Sequence, residues 1–335
     1  MFYFYLPFGL SGVTQYYVGI IADAIRLLGY EINTVDNLKS IPEKANVLTI
    51  RDKDTTYVIG RRNPQYVITW FQGVAPEEMD LLYKGRWDRI PRVLIHRIFE
   101  RYALKHSSLS LFVSNAMKEH YADRYHYSGS NHIIMPCFGN DLDLTSFTDL
   151  RYREPKFLYS GSITKWQCVE DMLVLFKRIK SEIPQATLSI LTPDRDIAYK
   201  MLEQHGVTAS VDFISPDRLQ DYIRQFKYGF IVRDDIAINQ VATPTKMSNY
   251  MGAGIIPVYS DVVKDYKEHI TSKTPYIIAF NDFDECISKI KEMEKRQISA
   301  ELIAGSYSEI FRDYWNRESY TKLISQKIKE TIRQS

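Results

Sequence analysis

KYGFIVRDDIAINQVATPTKMSNYMGAGIIPVYSD, residues 227–261, decides how this chain is read. Its first apolar run, 228–232, is a buried strand by composition. A polar loop follows, then Thr243-Pro244-Thr245-Lys246, which reads as a helix start. Thr243 or Thr245 supplies a cap, and Pro244 is tolerated in a first turn that needs no amide donor. Gly252-Ala253-Gly254 closes the helix, and 255–259 begins another strand. A strand end thus feeds a loop, a lysine-bearing helix start and the next strand. In an open α/β sheet, ligands sit at such a place, and free amides with a lysine favour an anion. A capped helix with a solvated lysine fits the pattern as well.

Outward from this stretch the alternation continues. Residues 157–160, 186–191, 211–214 and 276–280 read as strands, and 169–183, 197–205, 217–225 and 283–296 as helices, with Ser215 or Asp217 capping the third. Residues 307–335 read as one long amphipathic helix. Toward the N-terminus, 140–155 is polar and aperiodic, an interdomain linker. Before it, strands are expected at 2–7, 30–35, 47–50, 57–59, 67–71, 110–114 and 133–137. Helices are expected over 13–28, after a turn at Gly9 and Gly12, and from Ser114. The opening β-Gly-loop-α lacks G-x-G-x-x-G, which weakens a nicotinamide reading. Two doubly wound α/β domains result, over 1–150 and 155–317, and no solenoid period recurs.

Length and composition agree. The 335 residues suffice for two domains, with 45% hydrophobic and 25% charged residues. Lysine and arginine number 43 against 41 acidic residues, a net charge of +2, which carries no nucleic-acid signature. Cys137, Cys168 and Cys286 are scattered, without metal-ligand or disulfide spacing, so a reducing cytoplasm is the expected compartment. No apolar run has bilayer-spanning length, and residues 1–12 lack the basic start and cleavage site of a signal peptide. Residues 84–106 carry Lys84, Arg86, Arg89, Arg92, Arg97, Arg101 and Lys105 against Asp88 and Glu100, with Val93, Leu94, Ile98, Tyr102 and Ala103 on an apolar face. Such a helix either covers a sheet or lies on an anionic membrane surface through 84–105.

The segment PTKMSNYMGAGIIPVYS resembles the donor-binding segment of family 4 retaining glycosyltransferases of the GT-B fold. It matches at Pro244, Thr245, Lys246, Tyr250, Gly254 and Pro257, and departs at Asn249, where the family usually has a ribose-binding glutamate. Weaker likeness runs through Gln72-Gly73-Val74-Ala75-Pro76-Glu77-Glu78, where Gln72 replaces a histidine, through VSNAMKEHY and IIMPCF, and through Gly161-Ser162-Ile163-Thr164-Lys165-Trp166-Gln167. The resemblance implies two Rossmann-like domains across a cleft, with a final helix, 318–335, crossing back to the first.

It also implies roles. Lys165 and Lys246, with Arg233, would neutralise the leaving diphosphate. Gly161, Ser162, Thr164, Ser215, Thr243, Pro244, Thr245 and Asn249 would line the donor site. Gly12, Gln72 and Gly73 would lie on the acceptor side. Ser162 stands where many members have arginine, and aligning on Gly254 puts Val241 and Asn249 where many have glutamates. The implied activity is transfer from a UDP- or GDP-sugar to a glycan or lipid-linked acceptor in bacterial surface polysaccharide or glycoconjugate synthesis, at the cytoplasmic face of the membrane. No metal or other cofactor is expected, since basic groups and helix amides would stand in for the cation. Two rivals stay open: an inactive GT-B partner or regulator, motivated by Val241 and Asn249, and a nucleotide-sugar epimerase.

Overall fold

Parallel strands need crossovers long enough for a helix, so short apolar runs alternating with amphipathic stretches build doubly wound sheets. The computed structural model describes residues 1–10 and 12–332. Its contacts divide the chain into two units: Met1–Cys137 with Val241–Thr243 and the segment from Asn316 on, and Phe138–Gln240 with Pro244–Trp315.

Unit 1 runs β1 (Phe2–Tyr5), α1 (Gly12–Leu27), β2 (Ile32–Val35), β3 (Asn46–Thr49), α2 (Asp52–Arg62), β4 (Tyr66–Phe71), α3 (Ala75–Leu82), α4 (Arg89–His106), β5 (Leu109–Phe112), α5 (Asn115–Tyr125) and β6 (His132–Ile134). All pairs are parallel, in the order β2-β1-β3-β4-β5-β6. The central strands β4 and β5 are buried at every position, as a sheet covered on both faces requires.

Unit 2 runs β7 (Lys156–Ser160), α6 (Val169–Glu182), β8 (Thr187–Leu191), α7 (Arg195–His205), β9 (Ser210–Asp212), α8 (Pro216–Ile223), β10 (Tyr228–Ile231), α9 (Ala237–Val241), α10 (Lys246–Gly252), β11 (Ile256–Ser260), α11 (Lys264–His269), β12 (Ile278–Phe280), α12 (Phe283–Lys295) and α13 (Ala300–Asp313). Its sheet order, β9-β8-β7-β10-β11-β12, is the dinucleotide-fold order with the switch point between β7 and β10. Those two strands are joined by aromatic stacking: Phe157 lies 4.7 Å from Tyr228 and 5.1 Å from Phe230, ring to ring. The last helix, α14 (Arg317–Thr331), returns to unit 1 and packs on α1. Arg317 pairs with Asp23 at 2.7 Å, and Ile324 and Ile328 are buried.

Several expectations are corrected. Residues 57–59 are not a strand but part of α2, because parallel neighbours β3 and β4 require a crossover; Asp52 and Asp54 open that helix and Asn63 ends it in the left-handed region. The loop after β10 contains α9. The long helix over 307–335 breaks at Tyr314–Asn316, where Trp315 is buried and the Asn316 side chain caps α14 by accepting from Ser319 N–H. Residues 333–335 lie outside the described ones. In α4 the buried residues are Val93, Glu100, Ala103 and Leu104, while Leu94 and Ile98 face water. No described helix is long and apolar enough to cross a membrane.

The expected linker is not a linker either, and the units divide at Phe138 rather than near 150. Two short 3-10 turns, Leu144–Ser146 and Asp149–Arg153, pack into unit 2. Buried Arg151 donates to the carbonyls of Ser146 (2.9 Å), Ala253 and Phe226, and Tyr152 OH donates to Gly254 O at 2.8 Å. Arg151→Met strips three carbonyls of a charged donor. It is expected to lower stability by roughly 3 kcal/mol or more, read as a shift in urea unfolding; a change within experimental error would show that this segment is not held by its arginine.

Candidate functional site

The switch point of unit 2 is built by four segments: the ends of β7 and β10, the turn after β7, and the start of α10. Gly229 in β10 has no side chain because the Tyr250 ring occupies the space; a Cβ there would lie 2.5 Å from it. Tyr250 OH thereby reaches across and accepts from Ser160 N–H at 3.0 Å. The next residue, Gly161, has φ +146°, and a Cβ on it would lie 2.7 Å from Lys246 Cε and 2.9 Å from Nζ. Only glycine lets the lysine lie against the turn.

Lys246 Nζ sits 4.1 Å from the centroid of the Tyr159 ring and donates to Gln167 Oε1. Tyr159 OH donates to Ser162 O at 2.7 Å, fixing the turn that carries Gly161 and Ser162. Buried Arg233 donates from Nη1 to Trp166 O at 2.8 Å, and its backbone N–H bonds Ser260 Oγ at 2.9 Å. Desolvation, then the charge of Arg233, hold the Lys246 ammonium well below the ordinary lysine value, and burial pulls the Arg233 guanidinium down too. Among the described residues, neither cation pairs with a carboxylate, as the eighteen ion pairs lie elsewhere. Two cations without a carboxylate partner among the described residues, at a strand-end crevice, are chemically able to hold an anion.

The other expected residues fall unevenly around this pair. Lys165 opens a 3-10 turn, Lys165–Gln167, and is exposed, with no hydrogen bond or ion pair from its ammonium among the described residues. Thr164 Oγ1, just before that turn, is buried without a hydrogen-bond partner among the described residues. Asn249 follows Lys246 by one helical turn, its Oδ1 against Gly139. Pro244 O accepts from Tyr266 OH at 2.7 Å, and Thr245 precedes α10 without a side-chain cap bond. Thr243 caps nothing: its hydroxyl donates to Val113 O at 3.3 Å and accepts from Cys137 N–H at 2.8 Å, inside unit 1. Val241 is buried there, its carbonyl accepting from Ser114 Oγ at 2.5 Å. Ser215 stands after edge strand β9, away from the switch point. Tyr159 went unremarked in the sequence, though its place just before the glycine turn marked it. Among the described residues, Cys168, Asp171 and Asp234 have ligand atoms within 4.8 Å of one another and could hold a metal, with both carboxylates exposed.

Unit 1 holds the expected acceptor residues differently. A cavity of about 280 Å³ lies beyond the ends of β3 and β4, lined in part by Gln72, Gly73, Asp52, Glu78 and Glu100. Gln72 Nε2 donates to Ile50 O at 3.1 Å, and Gly73 O accepts from Tyr121 OH at 3.1 Å. Gly12 is exposed at the start of α1 and does not line it. Asp52, Glu78 and Glu100 escaped the sequence reading, because nothing in their local pattern shows that they share a pocket.

Burial, with the charges of Asp52 and Glu77 adding, pushes the Glu100 carboxyl up to about 8, while hydrogen bonding from Tyr125 (2.7 Å) and the charge of Arg124 oppose this. Burial likewise takes Asp52 to about 6 and raises Glu78. The unfolded chain releases the Glu100 proton near 4.5, whereas the folded chain keeps it to about 8. The folded state therefore binds more protons between those values, and this carboxyl's contribution to stability is lost as pH rises through them. Glu100→Gln should gain on the wild type by on the order of 1 kcal/mol per pH unit across that window, measured as denaturation midpoints; a constant difference would place the carboxyl in water.

No family model matches the sequence, and neither does any curated protein. Solved structures do match the fold. Sucrose-phosphate synthase from Thermosynechococcus elongatus superposes with a TM-score of 0.70 at 11% identity, covering 100% of this chain and 99% of that one. WaaG, a glycosyltransferase involved in lipopolysaccharide biosynthesis, gives 0.67 at 13% identity over 97% and 99%. A TarM variant from S. aureus, in complex with fondaparinux, alpha-GlcNAc-glycerol and UDP, gives 0.62 at 12% identity over 85% of this chain; the chain spans only 55% of TarM's length. At these identities the likeness establishes architecture: this chain has the two-domain α/β GT-B fold.

Proposed function

We propose that the protein is a glycosyltransferase that moves a sugar from a nucleoside-diphosphate sugar to a glycan or lipid-linked acceptor. The observation that carries this reading is the Lys246–Arg233 pair, without a carboxylate partner among the described residues, at the switch point of unit 2. A diphosphate supplies the missing negative charge. As the glycosidic bond breaks, charge builds on the leaving diphosphate, and two fixed cations stabilise that state more than the bound donor. A bound anion beside Lys246 favours its charged form, against the desolvation that pulls its pKa down. In this reading Asn249, one turn along, bonds the ribose.

The resemblance to family 4 enzymes supports a retaining reaction, and UDP in the TarM complex makes a uridine nucleotide the first donor to test. A role in bacterial surface glycan synthesis is the finest form of the reading. The acceptor would bind in unit 1, beside Gln72 and the carboxyl-lined cavity.

Purified protein incubated with UDP- and GDP-sugars, scored for transfer or slow hydrolysis, tests the reading. Lys246→Ala should lower kcat more than it raises KM, by on the order of 10- to 100-fold, the worth of a charge-assisted hydrogen bond. Lys165→Ala should act alike if its mobile side chain swings onto the same phosphate, and the double variant should then lose less than the sum. Asn249→Glu should tighten nucleotide binding. Unchanged donor binding and turnover in all three would remove the site; no turnover of any donor by protein that still binds UDP would favour the inactive partner instead.

The two cations and the helix amides take the place of a metal in this mechanism. Activity is therefore expected to survive EDTA; loss that magnesium or manganese restores would mean that a cation group such as Cys168, Asp171 and Asp234 takes part.

A further inference from the structure

Helix α4 has an inverted outer surface. Its inner face buries Val93, Glu100, Ala103 and Leu104. Outward, Ile90, Leu94, Ile95 and Ile98 are 48–68% exposed, and Trp87 in the preceding turn is 91% exposed. Ile90, Leu94 and Ile98 recur every fourth residue, which aligns them as one stripe. Isolated apolar side chains on a surface are ordinary; a stripe of large ones along a helix of ~27 Å is not.

The charges around the stripe are one-sided. Every exposed charged side chain between 84 and 106 is basic: Lys84, Arg86, Arg97, Arg101 and Lys105. The two acidic residues are withdrawn. Asp88 is buried against Arg86 and Arg92 at 3.0 and 2.7 Å, and Glu100 lies inside with Tyr121 and Tyr125. Lys84, Arg97, Arg101 and Lys105 form no ion pair among the described residues. Water leaves the stripe unsatisfied, and a second copy of the same face would set like charges together. An anionic bilayer answers both, taking apolar side chains among its acyl boundary and bases at its phosphates.

We propose that α4 and its preceding turn form the surface by which this protein docks, lying flat, on an anionic lipid bilayer. Trp87, Ile90, Leu94 and Ile98 enter the headgroup boundary, and Lys84, Arg97, Arg101 and Lys105 meet the lipid phosphates. The inference does not depend on the transferase reading, since it uses none of the residues of the anion site.

The test is flotation of the full chain with vesicles of phosphatidylcholine alone or mixed with phosphatidylglycerol. Association is expected with the mixed vesicles, weakening as salt rises and by about fivefold for each basic residue removed. Trp87 emission should shift to the blue on binding, and Trp87→Phe should abolish that change. Ile90→Ser with Leu94→Ser and Ile98→Ser should cut partitioning by about tenfold or more. Melting should be unaltered, because these side chains already face water. Equal recovery with neutral vesicles, or full binding by the triple variant or by Arg97→Glu with Arg101→Glu, would overturn the proposal. So would a lipid-free dimer that the triple variant dissolves, which would assign the face to a second copy.

Discussion

Holding two cations together out of water is the constraint on which the second unit is built. Lys246 and Arg233 repel each other, and neither has a carboxylate to offset the loss of solvent. The fold answers with weaker acceptors: the Tyr159 ring and Gln167 Oε1 for the lysine, the Trp166 carbonyl for the arginine. Each neighbour then has a fixed requirement. Gly161 must lack a side chain, Gly229 must yield to Tyr250, and Tyr250 must reach Ser160 to hold the β7 turn in place. Among the described residues no carboxylate neutralises this corner, the feature on which its proposed role as an anion site rests.

The cavity of the first unit shows the opposite chemistry. Asp52, Glu78 and Glu100 crowd the ends of β3 and β4, and burial keeps their protons on to higher pH. Glu100 is held by two tyrosine hydroxyls rather than by a cation. A pocket of partly protonated carboxyls both donates and accepts hydrogen bonds, which suits a hydroxyl-rich ligand better than a phosphate. The two units therefore present pockets of opposite chemistry.

Much of this was legible in the sequence because the switch-point strands are short, aromatic and bounded by glycine. Residues 157–160, 228–232 and 255–259 were placed within a residue or two of β7, β10 and β11. The lysine at the start of α10 was read from Pro244-Thr245-Lys246 alone. Where reading failed, local pattern was outweighed by distant partners. The run 57–59 has strand composition, but only the β3–β4 pairing reveals that a helix must connect them. Thr243 looks like a cap until Val113 and Cys137, more than a hundred residues earlier, claim its hydroxyl. The polarity of 140–155 signals a linker, yet Arg151 spends its charge on carbonyls that no sequence window contains. Lys165 was grouped with Lys246 by position; it is exposed, in the turn whose Gln167 accepts from Lys246 and whose Trp166 carbonyl accepts from Arg233.

The return of α14 to the first unit bears on biosynthesis. On the ribosome, the sheet of unit 1 emerges before unit 2, with α1 made but its partner helix α14 still to come. At typical elongation rates the residues between Cys137 and Asn316 take on the order of 10 to 40 seconds to synthesise. Through that interval Asp23 lacks Arg317 and Tyr66 OH lacks Thr331. The unit begun before the other is thus completed after it, once α14 has been made and packs on α1.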